Sequence, residues 1–292
     1  MEYQINEAGE RLDNFLAKAM DVSRSSVTKM IKNKEVLVNG KEAKAGYVTR
    51  IGDVVTVNHE EEDMNVTPEK MNLDIVYEDD DVIVVNKANG VVVHPAPGNY
   101  HGTLVNGLLY HSKLSDKNGE FRPGIVHRID AYTTGLLMVA KNNKAHDILA
   151  KELAEKKTYR KYVALVWGVI PNDTGLIDAP IGRSLNDRKK MAINPDGKEA
   201  ITHFKVLKRF EDVTLIELKL ETGRTHQIRV HMDYIGHPVV NDPIYGKRKL
   251  IDDSGQCLHA KELGFIHPVT GEYMQFDSEL PLKFTNIMNY FE

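Results

Sequence analysis

Residues 158–223 open with TYRKYVALVWG (158–168), pass through THFKVLKRF (202–210) and close with TLIELKLETG (214–223). Each of these three runs reads as a strand, rich in apolar and β-branched side chains, and no long helix separates them. Strands that follow one another without a helical crossover pair most simply as antiparallel neighbours. The predicted architecture is therefore α+β, a mixed, largely antiparallel sheet with flanking helices rather than a doubly wound sheet.

Working outward, NKAHDILAKELAEKK (143–157) is the clearest helix, with Ile148, Leu149 and Leu153 on its apolar side. LLMVAK (136–141) before it reads as a strand. LDIVYEDDDVIVVNKANG (73–90) gives two more strands around an Asp-rich turn, and a helix is expected from about Thr103 to His111. Nearer the N-terminus, ERLDNFLAKAM (10–20) and SRSSVTKMIKNKEV (23–36) read as two short helices, the second capped by Ser23. VLVNGKEA (36–43) has an Asn-Gly turn, and GDVVTVN (52–58) alternates like a closing strand. HEEEDMNVTPEK (59–70) is charged, lacks apolar periodicity and contains Pro68. The expected organisation is a small module over 1–58, a linker over 59–72 and a large domain over 73–292.

The 292 residues are 41% hydrophobic and 27% charged, an ordinary globular balance. Cys257 is the single cysteine, which excludes an intrachain disulfide and zinc sites built on paired cysteines. The first residues, MEYQINEAGERLDNF, lack the layout of a signal peptide, and no apolar run approaches the roughly 18–20 residues that span a bilayer. A cytoplasmic protein with no membrane attachment is expected. The net charge of −4 hides a segregated distribution. The acidic runs EEED (60–63) and DDD (79–81) contrast with the basic segments 151–161 and 182–190, which are expected to meet phosphates. Arg24 and Lys29, interleaved with hydroxyls on the second helix, could do the same.

Two segments are candidates for chemistry. GIVHRIDAYTTGLL (124–137) crowds His127, Arg128 and Asp130 into four positions, after Ile125 and Val126, which read as strand. A carboxylate just beyond a strand suits a nucleophile or base held rigidly at a cleft. The alternative is a structural aspartate whose side chain caps the Thr133 and Thr134 amides. ETGRTHQIRVHM (221–232) holds Arg224, His226, Gln227, Arg229 and His231 within eight residues, more cations than a packed interior tolerates unpaired. With a helix starting at Thr225, Ile228 and Met232 point to the core and Arg229 is placed to meet and orient a carboxylate.

NKANGVVVHPAPG, PGIVHRIDAYTTGLLMVAK, KYVALVWG, ETGRTHQIRVHM and LHAKELGFIHPVTGEYMQF occur in this order along the chain. In that order they resemble the RluA/RluD-type ribosomal-RNA pseudouridine synthases. The segments RLDNFL, SRSSVTKMIKNKEVLVNG and GDVV resemble the S4 RNA-binding domain. Together the resemblances span nearly the whole chain. They imply that Asp130 is the catalytic aspartate, Tyr162 the tyrosine stacked on the target base and Arg229 the partner that orients Asp130. Because neither end of the glycosidic bond is reachable in a stacked helix, the uridine must be flipped out, with Arg128 the candidate that braces the gap, and RNA contacts are expected from His127, Thr133, Ile228, Arg224, His226 and Gln227. The sequence departs from the family at Ala88, Ile129 and Ala131-Tyr132.

The reaction implied breaks the bond from uracil N1 to the ribose anomeric carbon and rejoins the sugar to C5, with no redox change, so no cofactor or metal is expected. The aspartate could attack the anomeric carbon, add to C6 or remove a ribose proton. The expected substrate is large-subunit ribosomal RNA, and a monomer is expected. Rival readings are a non-catalytic RNA-binding or ribosome-assembly factor keeping the fold, a hydrolase that releases uracil, and a purely structural protein. The histidines and Cys257 show no metal or activated-nucleophile pattern, and Trp167 reads as core.

Overall fold

The computed structural model describes residues 1–58, 66–96, 99–185, 187, 190–246 and 250–292. The chain forms two compact units, Met1–Met64 and Asn65–Glu292. In the first, β1 (Glu2–Gln4), α1 (Leu12–Ala19), α2 (Arg24–Lys32), β2 (Val36–Val38), β3 (Lys41–Glu42) and β4 (Val54–Val57) follow in order. The strands form an antiparallel sheet ordered β1-β4-β2-β3. Leu12, Leu16 and Val27 from the helices pack on Val36, Val38, Val55 and Val57 to make its core. Ser23 caps α2 as its position suggested, its Oγ accepting from the Ser26 N–H at 3.1 Å. The helix pair is tied by buried Asp13, which accepts from Arg11 Nη2 and from Arg24 Nη2, each at 2.9 Å.

The second unit contains β5 (Ile75–Glu78), β6 (Val82–Lys87), α3 (Leu104–His111), β7 (Thr134–Ala140), α4 (Asn143–Ala154), β8 (Tyr159–Trp167), β9 (Thr174–Asp178), β10 (Ile181–Arg183) and β11 (Met191–Ile193). It continues through β12 (Ile201–Arg209), β13 (Val213–Leu220), α5 (Gln227–Tyr234), β14 (Leu258–Ile266), β15 (Tyr273–Asp277) and α6 (Leu282–Asn289). Among the described residues nine strands form one sheet, ordered β5-β6-β7-β14-β8-β13-β12-β9 with β15 on β14. Every pairing in it is antiparallel except β7 with β14. The α+β class and the mixed, largely antiparallel sheet are as expected. The main core lies between this sheet and α3 and α5, with Leu104 and Leu108 of α3 and Ile228 and Met232 of α5 fully buried.

Three features differ from the sequence reading. Ile125 and Val126 are not a strand: Ile125 makes one isolated bridge to Val139, and Asp130 sits in a loop that enters β7. The short strand β1 was not anticipated, because its Glu-Tyr-Gln lacks an apolar pattern and is held by pairing with β4. The α5 helix starts at Gln227, two residues later than expected. Of the expected linker, residues 59–65 lie outside the described residues. Beyond them, the Glu69 N–H bonds the Asn106 carbonyl at 2.9 Å, and Met71 packs where Gly107 leaves no side chain.

Candidate active site

The Asp130 loop is anchored before it reaches the cavity. The Thr133 N–H bonds the Asp130 carbonyl at 3.0 Å, and buried Thr133 Oγ1 accepts from Gln256 Nε2 at 3.1 Å. Gly135, at φ +108°, runs so close to β14 that a Cβ there would stand 2.3 Å from the Ala260 carbonyl oxygen, so only glycine fits. From behind, Lys87 Nζ donates to the carbonyls of Ala131 (2.7 Å), Ala88 (2.9 Å) and Val91 (2.8 Å). Lys283 on α6 donates to Tyr132 O at 2.9 Å. Burial and the nearby Lys283 push the Lys87 amine down to about 7. The turn around Asp130 is thus fixed by backbone groups and lysines, and its carboxylate is left for the cavity rather than for capping the Thr133 amide.

That carboxylate, 16% exposed, accepts from Arg229 Nη1 at 2.8 Å. Arg229 projects from the first turn of α5 and is itself 3% exposed. Its other nitrogens are fixed on Asp242, Nε at 2.7 Å and Nη2 at 2.9 Å, a bidentate pair that locks the guanidinium plane. The fully buried Asp242 carboxylate also accepts the N–H groups of Ile244 and Tyr245, and these bonds with Arg229 hold it below the usual carboxylate range although burial opposes them. The Arg229 guanidinium also lies 5.0 Å from the Tyr245 ring centroid.

His226 precedes α5 in the left-handed region, φ 58°, a conformation that costs a non-glycine residue roughly 1–2 kcal/mol. The strain aims its ring at Asp130, Nε2 lying 3.8 Å from Oδ1, while Nδ1 meets the Tyr245 hydroxyl at 2.9 Å. Burial pushes its pKa down, so the ring tends to the neutral form.

Asp130, Tyr162 and Arg229 line one cavity of about 420 Å³ together with His127, Arg128, Thr133, Arg224, His226, Gln227 and Ile228. Their roles differ. Tyr162 is buried on β8, and burial, reinforced by Asp130, raises its phenol pKa. Ile228 forms apolar wall, and Arg128 is exposed at the rim. His127 Nε2 accepts the Met138 N–H at 3.1 Å, and burial pushes its pKa down to about 3, so it acts as a neutral brace. The Gln227 amide is bonded within the fold to Thr222, Arg224, Ile201 and Thr202. Arg224 Nε donates to Glu199 O at 2.8 Å. Arg24 and Lys29 are exposed on α2 of the first unit.

Sequence reasoning missed four residues. Asp242 and Tyr245 lie in NDPIYG, where nothing local marks them as partners of Arg229 and His226. Lys87, at the end of β6, carries no local pattern that marks it. Arg160 lines the cavity two residues before Tyr162, and alternation along β8 put both on one face.

The basic segment 151–161 is largely neutralised by its own surroundings: Lys156 meets Glu199 at 2.8 Å, Lys157 meets Glu155 at 2.6 Å and Lys161 meets Glu262 at 2.8 Å. In the segment 182–190, residues 186, 188 and 189 lie outside the described residues. Among the described residues, Asp79, Asp81 and His267 come close enough to share a metal ion. However, His267 Nδ1 accepts the N–H groups of Val269 and Thr270, which puts the ring proton on Nε2, the nitrogen facing Asp79. A protonated nitrogen is no metal ligand. Cys257 is buried, and burial pushes its thiol up to about 12.

Comparison with known proteins shows the family. The model of the RNA pseudouridylate synthase family matches residues 81–234, and that of the S4 domain matches residues 10–55. An RNA pseudouridine synthase of Bacillus subtilis is 57% identical over 278 residues, covering 94% of this chain and 92% of the relative. Ribosomal large subunit pseudouridine synthase D of Neisseria meningitidis serogroup B is 47% identical over 290 residues, covering 94% of this chain and 76% of the relative. Among solved structures, human RNA pseudouridylate synthase domain containing 1 is similar with a TM-score of 0.58 and 30% identity, covering 76% of this chain and 86% of the other. A carboxylate oriented by an arginine beside a buried tyrosine, on this sheet and with these relatives, makes the chain a member of the RNA pseudouridylate synthase family, carrying an S4 domain in its first unit.

Proposed function

We propose that this enzyme converts specific uridines of large-subunit ribosomal RNA to pseudouridine, with Asp130 as the catalytic carboxylate. The observation that carries the reading is the 2.8 Å contact between Asp130 and Arg229, residues 99 positions apart that meet in the cavity holding Tyr162. The names of relatives such as the Neisseria protein support the substrate.

In this reading the target uridine leaves its helix, because neither end of the glycosidic bond is reachable while the base is stacked. Arg128 at the rim braces the gap. Ile228 and Tyr162 give the uracil an apolar wall and a flat face. Asp130, aimed by Arg229, acts on the ribose or on C6, and the N1–C1′ bond breaks. After the uracil turns, C5 bonds to C1′, the C5 proton leaves near the Tyr162 phenol, and N1 gains a proton, so the product is an isomer of the substrate. The expected domain organisation follows: residues 1–58 hold structured RNA through Arg24 and Lys29, and residues 73–292 carry out the reaction.

The test compares pseudouridine maps of ribosomal RNA from cells with the gene intact, deleted or changed Asp130→Asn, a nearly isosteric exchange that removes the charge. Particular sites should vanish in both altered strains, and the purified variant should lose at least about 10²-fold in rate. Sites that survive both changes would favour an RNA-binding factor. Release of free uracil by the purified enzyme would favour a hydrolase.

A further inference from the structure

The cavity holds a cation that the reaction as described does not use. Arg160 is 8% exposed, yet its Nε has no hydrogen-bond partner, and among the described residues no carboxylate pairs with it. The two carboxylates lining the cavity are engaged elsewhere: Asp130 on Arg229, and Glu221 on His203 at 2.6 Å and Lys156 at 3.7 Å. Gly223 makes room for the guanidinium, since a Cβ there would stand 2.7 Å from Nη1. A buried, unpaired guanidinium is costly, and a fold that keeps one beside its reaction centre keeps it for an anion that arrives with the ligand.

We propose that Arg160 is the subsite for a backbone phosphate of the flipped-out nucleotide, gripping its non-bridging oxygens while Asp130 and Tyr162 face the sugar and base. The inference rests on the reading of this cavity as the uridine site. Phosphate is the one fully charged group that a uridine in RNA brings, and a planar guanidinium matches two of its oxygens at once. Arg160 and Tyr162, two residues apart on β8, project to the same side of the strand, so one rigid element sets the spacing between phosphate and base. Arg160 is thus a binding residue whose grip fixes the ribose relative to Asp130.

Three measurements on the full-length protein test this. First, Arg160→Gln should raise Tm in phosphate-free buffer by removing the unpaired charge. Inorganic phosphate at constant ionic strength should raise the Tm of the wild type and not that of the variant. A variant less stable than the wild type would make Arg160 a structural residue and overturn the proposal. Second, on a stem-loop RNA carrying a uridine mapped as above, Arg160→Gln should lower kcat/KM by about 10- to 100-fold, with Arg160→Lys retaining part of it. Third, an uncharged methylphosphonate placed 5′ or 3′ of the target should, at one of the two positions, slow the wild type to the variant's level and leave the variant unaffected. Additive losses at both positions, or an alkaline limb of the pH profile that shifts in Arg160→Gln and so shows action through Tyr162, would overturn it. The phosphate-dependent melting needs no turnover, so it stands apart from a failure of the pseudouridine maps, which would defeat the functional reading instead.

Discussion

Arg229 serves two carboxylates at once, and the buried one governs how well it serves the other. Asp242→Ala would leave Arg229 with one partner and an unsatisfied face in a dry environment, a change expected to cost about 3–5 kcal/mol of stability, read by urea denaturation. Asp242→Asn keeps the shape and part of the hydrogen bonding. It should lower kcat more than stability, because the guanidinium is no longer held bidentately while it orients Asp130. Buried histidines set a pH window. Burial pushes His94 and His259 down to about 4 and His127 to about 3, against 6.5 for a free ring. Between those values and 6.5 the unfolded chain binds protons that the native chain does not. Stability should therefore fall as pH drops from about 6.5 toward 4, and these residues should add no slope above 6.5. Urea midpoints at a series of pH values check this, and His259→Gln, which cannot titrate, should flatten part of the slope.

At the scale of elements, the site hangs on the single parallel pairing in the large sheet, β7 with β14, where Gly135 meets Ala260. Gly135→Ala should cost more than about 2 kcal/mol, because it adds both a backbone clash and a conformation that L-residues avoid, and denaturation curves would show it. The strands and α4 were legible because apolar periodicity is a local property. Ile125-Val126 misled because two apolar residues look alike in a strand and in a loop with a single bridge; what decides is pairing with Val139, fourteen residues on. The same limit hides Asp242. That Asp130 and Arg229 are partners could be inferred from residue type, but which buried group steadies Arg229 from behind depends on how β14 and the loop after α5 come together. Arg160 was within reach, since the alternation of Arg-Lys-Tyr along a strand already puts it beside Tyr162.

For the molecule as a whole, each unit has its own core, so removal of residues 1–64 should leave a chain that still unfolds cooperatively. Its catalytic effect should fall on KM, by about 10²-fold, since tethered RNA contacts act through effective concentration and leave the reacting groups in place. Net charge gives little guide to RNA affinity here, because many lysines of the 151–161 segment are paired locally. The exposed cations that remain for phosphates include Lys29, Lys32 and Arg128, Arg24 being held on Asp13. About three such contacts predict a slope of roughly −2 to −3 in log affinity against log salt, measurable by filter binding. A flat response would contradict an electrostatic footprint.

The solitary thiol has a practical consequence. Cys257 lies inside the second unit with its ionisation suppressed, so thiol reagents should find no reactive group in the native protein and one after denaturation. The chain is therefore a silent background for site-specific dyes. A cysteine introduced at Ala19, exposed on α1, and another at Leu185, which is 94% exposed, could carry a fluorophore pair without removing Cys257. Energy transfer between them, recorded as RNA is added, would report on the arrangement of the two units during recognition.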